Sequence, residues 1–270
     1  MNTVRRKLRI YFDVINHRTL IAVAISVLAT WICYNFSLIF NLDLTLVSVA
    51  VVFPLVFTLG SAFQRRERAL EHLGRAKGAL AAIKFCFSSN TKINDTEKQK
   101  IYDITHNVKT ELIAFLNDTT PDKTRLNHSV AQIQEFIINN GKALGGRLSL
   151  RVYRLMRDVI MGIENSVSIK EHRTPYSIRA YCVLFIYIFP FFYAPTLIKN
   201  IEYQDLLFQG EVNQPVNTVL HGRFDVIVYL LNVIISFILI SLYNVQEQIE
   251  NPYDQDGLDD IKLENFEIDY

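Results

Sequence analysis

Four long stretches of this 270-residue chain contain no charged residue, and each is about as long as the apolar helix that a bilayer requires. They are LIAVAISVLATWICYNFSLIF from Leu20, LTLVSVAVVFPLVFTLGSAF from Leu44, AYCVLFIYIFPFFYAPTLI from Ala180 and VIVYLLNVIISFILISLY from Val226. Only 20% of the residues are charged, whereas soluble domains carry about 25%. The sequence therefore predicts an integral membrane protein with four transmembrane helices.

The distribution of basic residues predicts how these helices cross the membrane. A basic cluster precedes the first stretch, and another follows the second: Arg5, Arg6, Lys7, Arg9 and Arg18, then Arg65, Arg66 and Arg68. By the positive-inside rule both clusters are cytoplasmic. Residues 41–43 then form an external hairpin, residues 199–225 an external linker, and both termini lie in the cytoplasm of an inner or plasma membrane. The first stretch is too long and bulky for a cleaved signal, so we expect it to be retained.

Between the second and third stretches the chain is polar, with a helical period. Apolar residues recur there at steps of three and four, which gives a helix one apolar face: Ile101, Ile104, Val108, Leu112 and Phe115. A second helix is predicted to start at Pro121 after Thr120 and to end at Asn140–Gly141. A third runs from Arg147 to Lys170 and is stopped by Pro175.

These patterns divide the chain into four regions. Residues 1–63 hold the cytoplasmic N-terminus and the first two membrane helices, and residues 64–179 form a cytoplasmic helical region. Residues 180–245 hold the last two membrane helices, and residues 246–270 form a cytoplasmic acidic tail. We expect an all-α fold, in which the second and third membrane helices continue into the cytoplasmic region.

Motifs for catalysis and for nucleic-acid binding are absent from the sequence. It contains no glycine-rich phosphate loop, no GxSxG and no HExxH. The six histidines have no His or Cys partner at helical ligand spacing, and the three cysteines form no CxxC pair. The net charge is +1, without a basic stripe interleaved with aromatic residues. We therefore expect neither an enzyme nor a nucleic-acid partner.

The second stretch carries the most informative helical face. Phe53, Phe57 and Ser61 follow at i, i+4 and i+8 and so share one face, while Pro54 and Gly60 interrupt the apolar run. In an oligomer with this face inward, the phenylalanines would form apolar rings that can gate ions by dewetting. Aromatic edges are positive, which favours an anion if they face the axis. A lipid-contacting or packing role for the same stripe is the alternative.

Three segments resemble the bestrophin family of ion channels. FPLVFTLGSAF from Phe53 is similar to its pore helix, RTPYSIRAYCVLFIYIFPFF from Arg173 to its third span, and ENPYDQDGLDD from Glu250 to the acidic cluster after its last span. The resemblance implies a homopentamer whose narrow neck is formed by Phe53, Phe57 and Ser61, on a pore helix shaped by Pro54 and Gly60. Ser61 departs from the family's bulky apolar residue at this position. RRERALEHL follows where the family often has Arg-Trp-Trp.

The acidic segment does not form a self-contained calcium loop. If Gly257 took the glycine position of an EF-hand, the first and last ligand positions would fall on Pro252 and Leu263. The resemblance instead implies a Ca²⁺ clasp in which Asp256 and Asp259 supply the carboxylates. The alternative is a turn at residues 251–253, with the aspartates bonded to backbone amides.

Taken together, the sequence predicts passive conduction of anions such as chloride through a homopentameric pore in a lipid bilayer. Ca²⁺ at Asp256 and Asp259 is the only cofactor it suggests. A cation-conducting bestrophin homologue and a non-conducting four-span membrane scaffold are the alternatives.

Overall fold

The computed structural model describes residues 15–118, 122–209, 218–255, 257 and 259–266, with the backbone alone at 202–209, 218–224 and 264. Every regular element in these ranges is helical, so the predicted all-α fold is confirmed. The helices are α1 (His17–Asn35), α2 (Leu44–Ser88), α3 (Asp95–Asn117), α4 (Lys123–Asn139), α5 (Gly141–Glu171), α6 (Tyr176–Gln209) and α7 (Thr218–Glu250), followed by a 3₁₀ turn at Leu263–Asn265.

Helix α1 begins at a capping box and ends earlier than its apolar run. The Asn16 side chain accepts from the amides of Arg18 and Thr19, which satisfies donors that a helix N-terminus leaves free. The run was expected to be helical through Phe40, but Ser37 has φ of 50° and the helix stops at Asn35. The Leu38 amide donates to the Cys33 carbonyl across this turn at 2.9 Å. The last apolar residues of the run therefore belong to the connection before α2.

Helix α2 continues well beyond its apolar half, as predicted. Its 45 residues correspond to a length of about 68 Å at the usual helical rise. The first part, through Ala62, belongs to one compact unit, and the part from Phe63 belongs to another.

The first unit contains the described residues of Met1–Ala62 and Thr174–Glu247. One apolar cluster joins α1, α2, α6 and α7 through Ala22, Val51, Leu55, Ile186 and Ile240, all of which are buried. A smaller buried cluster contains Cys33, Ala194, Leu197, Ile198 and Val228. Helices α6 and α7 extend into the predicted linker 199–225, because α6 reaches Gln209 and α7 begins at Thr218.

The second unit contains the described residues of Phe63–Arg173 and Gln248–Tyr270 and has its own apolar core. The predicted face of α3 lies in this core, with Ile101, Val108, Leu112 and Phe115 buried and Ile104 partly so. The predicted start of α4 at Thr120–Pro121 falls outside the described residues. Asp122 is the observed N-cap, since its side chain accepts from the Thr124 amide at 2.8 Å.

Helix α5 is interrupted one turn after it begins. Gly145 has φ of 68° and ψ of 163°, a left-handed conformation that a residue with a side chain adopts only under strain. The regular part therefore starts close to the predicted Arg147. It ends at Glu171, before Pro175.

Candidate functional site

The predicted neck residues share an exposed face of α2. Phe53 and Phe57 are 59% and 62% exposed, and Ser61 is exposed as well. On the opposite face Leu55 and Ala62 are buried in the first unit. The phenylalanine stripe therefore lies on a side of α2 that the described chain leaves exposed, together with several aliphatic residues of the same helix.

The two phenylalanine rings contact each other edge to face. Their centroids are 4.4 Å apart and their planes are inclined by 77°, which is a favourable aromatic geometry. One turn further along, a Cβ built at Gly60 would meet no other atom within 4 Å, and Ser61 carries only a short hydroxyl side chain. The free face thus changes from bulky and aromatic to small and polar along the helix.

Pro54 leaves one carbonyl of α2 without its intrahelical partner. Proline has no amide hydrogen, so the carbonyl four residues earlier, on Ala50, loses its helical donor. The Tyr181 hydroxyl of α6 lies 3.5 Å from that oxygen, at the long limit of a hydrogen bond. A proline inside any helix frees such a carbonyl, but nothing in the local sequence identifies Tyr181 as its donor.

An ion cluster in the first unit was not predicted from the sequence. Glu247 of α7 binds Arg18 of α1 through one carboxylate oxygen, and its other oxygen accepts from Arg179 of α6 at 2.8 Å. Arg179 is the more buried of the two arginines, with 12% of its side chain exposed. One carboxylate therefore ties together three helices whose sequences give no local sign of the contact.

Two buried asparagines of α7 bind α1 within the same unit. The Asn232 amide donates to the Ser26 carbonyl at 3.1 Å and to the Thr30 hydroxyl at 2.9 Å. The Asn244 amide donates to the Thr19 hydroxyl at 3.0 Å. A lone Asn inside the charge-free fourth stretch was the signal for such a contact, because a polar side chain at membrane depth needs a partner.

The acidic segment folds into a closed turn in the second unit. The Ile261 amide donates to the Pro252 carbonyl at 2.9 Å, which joins the two ends of the turn. Inside it, Gln255 has φ of 61° and its side chain donates to the Ile261 carbonyl at 2.7 Å. The Gly257 amide donates to Asp260 at 2.7 Å, and a Cβ at Gly257 would lie 2.7 Å from the same carboxylate. Asp260 therefore organises the turn.

Of the two predicted calcium ligands, Asp256 lies outside the described residues. Asp259 is described, and its backbone carbonyl accepts from Arg66 at 2.5 Å. Within the described ranges, no group of three His, Cys, Asp or Glu side chains lies close enough together to hold one metal ion. Ca²⁺ takes six to eight oxygen ligands, so the described donors alone do not fit a calcium site, and Ca²⁺ binding stays a prediction.

Tyr253 fixes the turn to the core of the second unit. Its side chain is fully buried among residues of this core. Burial raises the pKa of Tyr253 to about 12, although the nearby Ser166 hydroxyl and Arg65 guanidinium act in the opposite direction. The Tyr253 hydroxyl has no hydrogen-bond partner of ordinary geometry among the described residues. The aromatic residue of the Asn-Pro-Tyr segment is therefore a packing anchor.

No protein-family model matches the chain, and no curated protein matches it in sequence. Its fold, however, is similar to that of solved membrane proteins. The crystal structure of a bacterial bestrophin homologue from Klebsiella pneumoniae matches with a TM-score of 0.71 and 14% identity, over 92% of this chain and 93% of that one. A single-substitution variant of the same homologue matches with a TM-score of 0.71 over 96% and 94% of the two chains. A further crystal structure, described only as a membrane protein, has a TM-score of 0.71 and 14% identity.

Four helices of the described chain are long and apolar enough to cross a membrane: His17–Asn35, Leu44–Ser88, Tyr176–Ile201 and Asp225–Glu250. The similarity to the Klebsiella homologue extends over nearly the whole length of both chains. The resemblance predicted from the three sequence segments is thus confirmed at the level of the fold. The chain is an integral membrane protein with the all-α fold of the bacterial bestrophin homologues.

Proposed function

We propose that this protein is a bestrophin-like ion channel that conducts anions such as chloride passively through a homopentameric pore. Phe53 and Phe57 form the neck of the pore, and Ser61 lies at its inner edge. Both termini are cytoplasmic, as the basic clusters of the sequence predict. The protein has no catalytic role in this proposal; its partners are other copies of itself, the bilayer and small inorganic ions.

The exposed phenylalanine stripe of α2 is the observation that carries this proposal. More than half of Phe53 and of Phe57 is exposed, on the side of α2 opposite the buried Leu55. Between Leu44 and Gln64 the helix has no charged residue, so the face is an apolar surface with Gly60 and Ser61 at one end. Five such faces around an axis would make a dry constriction of the kind that gates by dewetting.

The selectivity follows from the aromatic edges. The Phe53 and Phe57 rings are inclined to each other, so one of the two presents its edge when the other presents its face. Ring edges carry partial positive charge, and they stabilise an anion more than a cation. Since no full charge lies in the proposed neck, this preference is modest.

Ion flux through the reconstituted protein tests the proposal. We expect chloride efflux from liposomes that contain the wild-type protein, and a several-fold higher rate with Phe57→Ala, because a smaller side chain widens and wets the constriction. Phe192→Ala is the matched control, since Phe192 is an exposed phenylalanine of α6 outside the stripe. Absence of flux from both wild type and Phe57→Ala, or the same change in Phe192→Ala, would contradict the proposed neck.

Oligomeric state separates the channel from a non-conducting scaffold. We expect five copies per particle when the protein is weighed in detergent, because a monomer or dimer cannot enclose a five-fold neck. Reversal potentials in asymmetric salt then separate chloride conduction from cation conduction. A reversal potential at the cation equilibrium value would contradict anion conduction and support the cation-conducting alternative.

A further inference from the structure

A cavity in the second unit lies between the end of α2 and the beginning of α5. Its volume is about 480 Å³, and it opens widely to solvent. On one side it is lined by Phe85, Cys86 and the loop 89–92, and on the other by residues of the first turns of α5. The break at Gly145 falls between the α5 residues Leu144 and Leu148, both of which line the cavity.

The lining of this cavity is cationic. Lys92 and Arg151 contribute two positive charges, and no carboxylate is among the lining residues. Neither side chain has an ion-pair partner in the part of the chain that the structure describes, whereas Arg75, Lys98, Lys100 and Lys123 of the same unit are all paired. Two solvated cations that converge on one concave surface, without a protein anion between them, favour an anionic ligand.

The adjacent face of α5 strengthens the positive field. Arg147, Arg151 and Arg154 follow at i, i+4 and i+7 and so share one helical face, and all three are exposed. Like charges at these spacings repel one another. Within the described residues none of them has an ion-pair partner, so an anion bound beside Arg151 would relieve this repulsion.

The loop that carries Lys92 is held against α5. The Asn90 side chain accepts from the Lys92 amide at 2.9 Å and donates to the Ala143 carbonyl of α5 at 3.4 Å. These bonds hold the backbone of the loop at Lys92 beside α5, so its side chain starts from the same cavity that Arg151 lines.

The remaining lining is apolar. Phe85 is 51% exposed at the edge of the cavity, and Leu144 and Leu148 lie on the α5 side. A bare inorganic ion would use the cations and leave these side chains unoccupied. A ligand with a phosphate at one end and a ring or hydrocarbon at the other would use both parts of the lining.

We propose that this cavity binds a small organic phosphate. Lys92 and Arg151 hold the phosphate group, and Phe85 and the two leucines contact the organic part. The proposal does not depend on ion conduction, because binding is measured without a membrane.

Thermal unfolding of the full-length protein in detergent tests the proposal, with phenyl phosphate, inorganic phosphate and phenol as probes. We expect phenyl phosphate to raise the melting temperature most, because it alone presents both a phosphate and a ring. In Arg151→Gln and Lys92→Gln the apparent Kd for phenyl phosphate should rise at least about tenfold, or ~1.4 kcal/mol. Arg154→Gln is the matched control, since Arg154 is exposed on the same face but does not line the cavity.

Alkylation of Cys86 provides a second measurement that does not depend on stability. Cys86 lines the cavity, whereas Cys33 and Cys182 are buried in the first unit. We expect phenyl phosphate to slow maleimide labelling of Cys86 in wild type and in Arg154→Gln, and to leave the rate in Arg151→Gln unchanged. The proposal is wrong if phenyl phosphate at about 10 mM neither stabilises nor protects the protein. It is equally wrong if Arg154→Gln weakens binding as much as Arg151→Gln, or if inorganic phosphate or phenol binds as tightly as phenyl phosphate.

Discussion

Gly162 of α5 packs directly against the backbone of α2 at Ala76. A Cβ built at Gly162 would lie 2.8 Å from the Ala76 amide nitrogen and 2.9 Å from the Ala76 Cβ. Both distances are shorter than ordinary van der Waals contacts. The Ala76 amide nitrogen belongs to the helix backbone, which cannot move aside alone. The absence of a side chain at position 162 is therefore what lets the two helices approach within the second unit.

We expect Gly162→Ala to destabilise the second unit by about 1–3 kcal/mol, the usual cost of overpacking. Thermal unfolding followed by circular dichroism measures the change. Gly78→Ala is the matched control, because a Cβ there meets open space and alanine is the better helix former. Equal melting temperatures for Gly162→Ala and wild type would show that the close crossing does not exist in solution.

Lys170 of α5 caps the C-terminal end of α3. Its ammonium donates to the carbonyls of Phe115, Leu116 and Asp118, two of which belong to the last turn of α3 and have no helical donor of their own. We expect Lys170→Met to lower the free energy of unfolding by about 1–3 kcal/mol, since charge-assisted bonds to three carbonyls are lost. Lys142→Met, at an exposed lysine near the start of α5, should leave stability within about 0.5 kcal/mol of wild type. If chemical denaturation gives the same loss for both variants, the capping role is disproved.

We expect the buried Tyr253 hydroxyl to make the protein less stable at alkaline pH. The pKa of its buried hydroxyl is raised to about 12 from 10.0, so the unfolded chain releases the proton first. Below about pH 10 the hydroxyl is protonated in both the folded and the unfolded state, so this contribution to stability is complete. Between about pH 10 and 12 the unfolded chain loses the proton while the folded protein keeps it, so the free energy of unfolding falls by roughly 3 kcal/mol in total. Tyr253→Phe should nevertheless stay close to wild type at neutral pH, because the Tyr253 hydroxyl makes no hydrogen bond of ordinary geometry within the described residues and only approaches Ser166.

The comparison that isolates this effect is the melting temperature of the two proteins at about pH 8 and about pH 11. Wild type should lose more stability than Tyr253→Phe between these values, although other tyrosines and the lysines titrate in both. Parallel losses in the two proteins would mean that Tyr253 is not buried as described.

The acidic turn gives a prediction about calcium. The clasp that the family resemblance implies predicts that about 1 mM Ca²⁺ raises the melting temperature of wild type above its value in chelator, and that Asp256→Asn and Asp259→Asn lose this rise. Mg²⁺ serves as the control for ionic strength. Equal melting temperatures of wild type in Ca²⁺ and in chelator would contradict the clasp.

Much of the membrane architecture could be predicted from the sequence because it follows from local composition. The stretches without charge predicted the four membrane helices. The spacing of Phe53, Phe57 and Ser61 predicted that these three residues share one helical face. The apolar face of α3 followed from its period in the same way. The end of α1 was wrong by five residues, because hydropathy does not distinguish a helix from the apolar turn at Ser37.

The residues that hold distant parts of each unit together could not be predicted. Arg18 and Glu247 are 229 positions apart, and Lys170 meets the end of α3 more than 50 positions away. No local pattern encodes such pairs, since each charged residue alone is equally compatible with solvent. Similarly, the candidates that the sequence offered in the acidic segment were Asp256 and Asp259, and only the folded turn revealed that Asp260 accepts from the backbone of the segment itself.

The sequence by itself thus determined that the chain spans a membrane as helices, since burial of backbone in lipid depends only on the length and polarity of each segment. The tertiary structure decided which side of α2 is left free, because that depends on which residues of α6 and α7 fill the other side. Burial of Leu55 and Ala62 against the rest of the unit, and not the spacing of the phenylalanines, is what exposes Phe53 and Phe57.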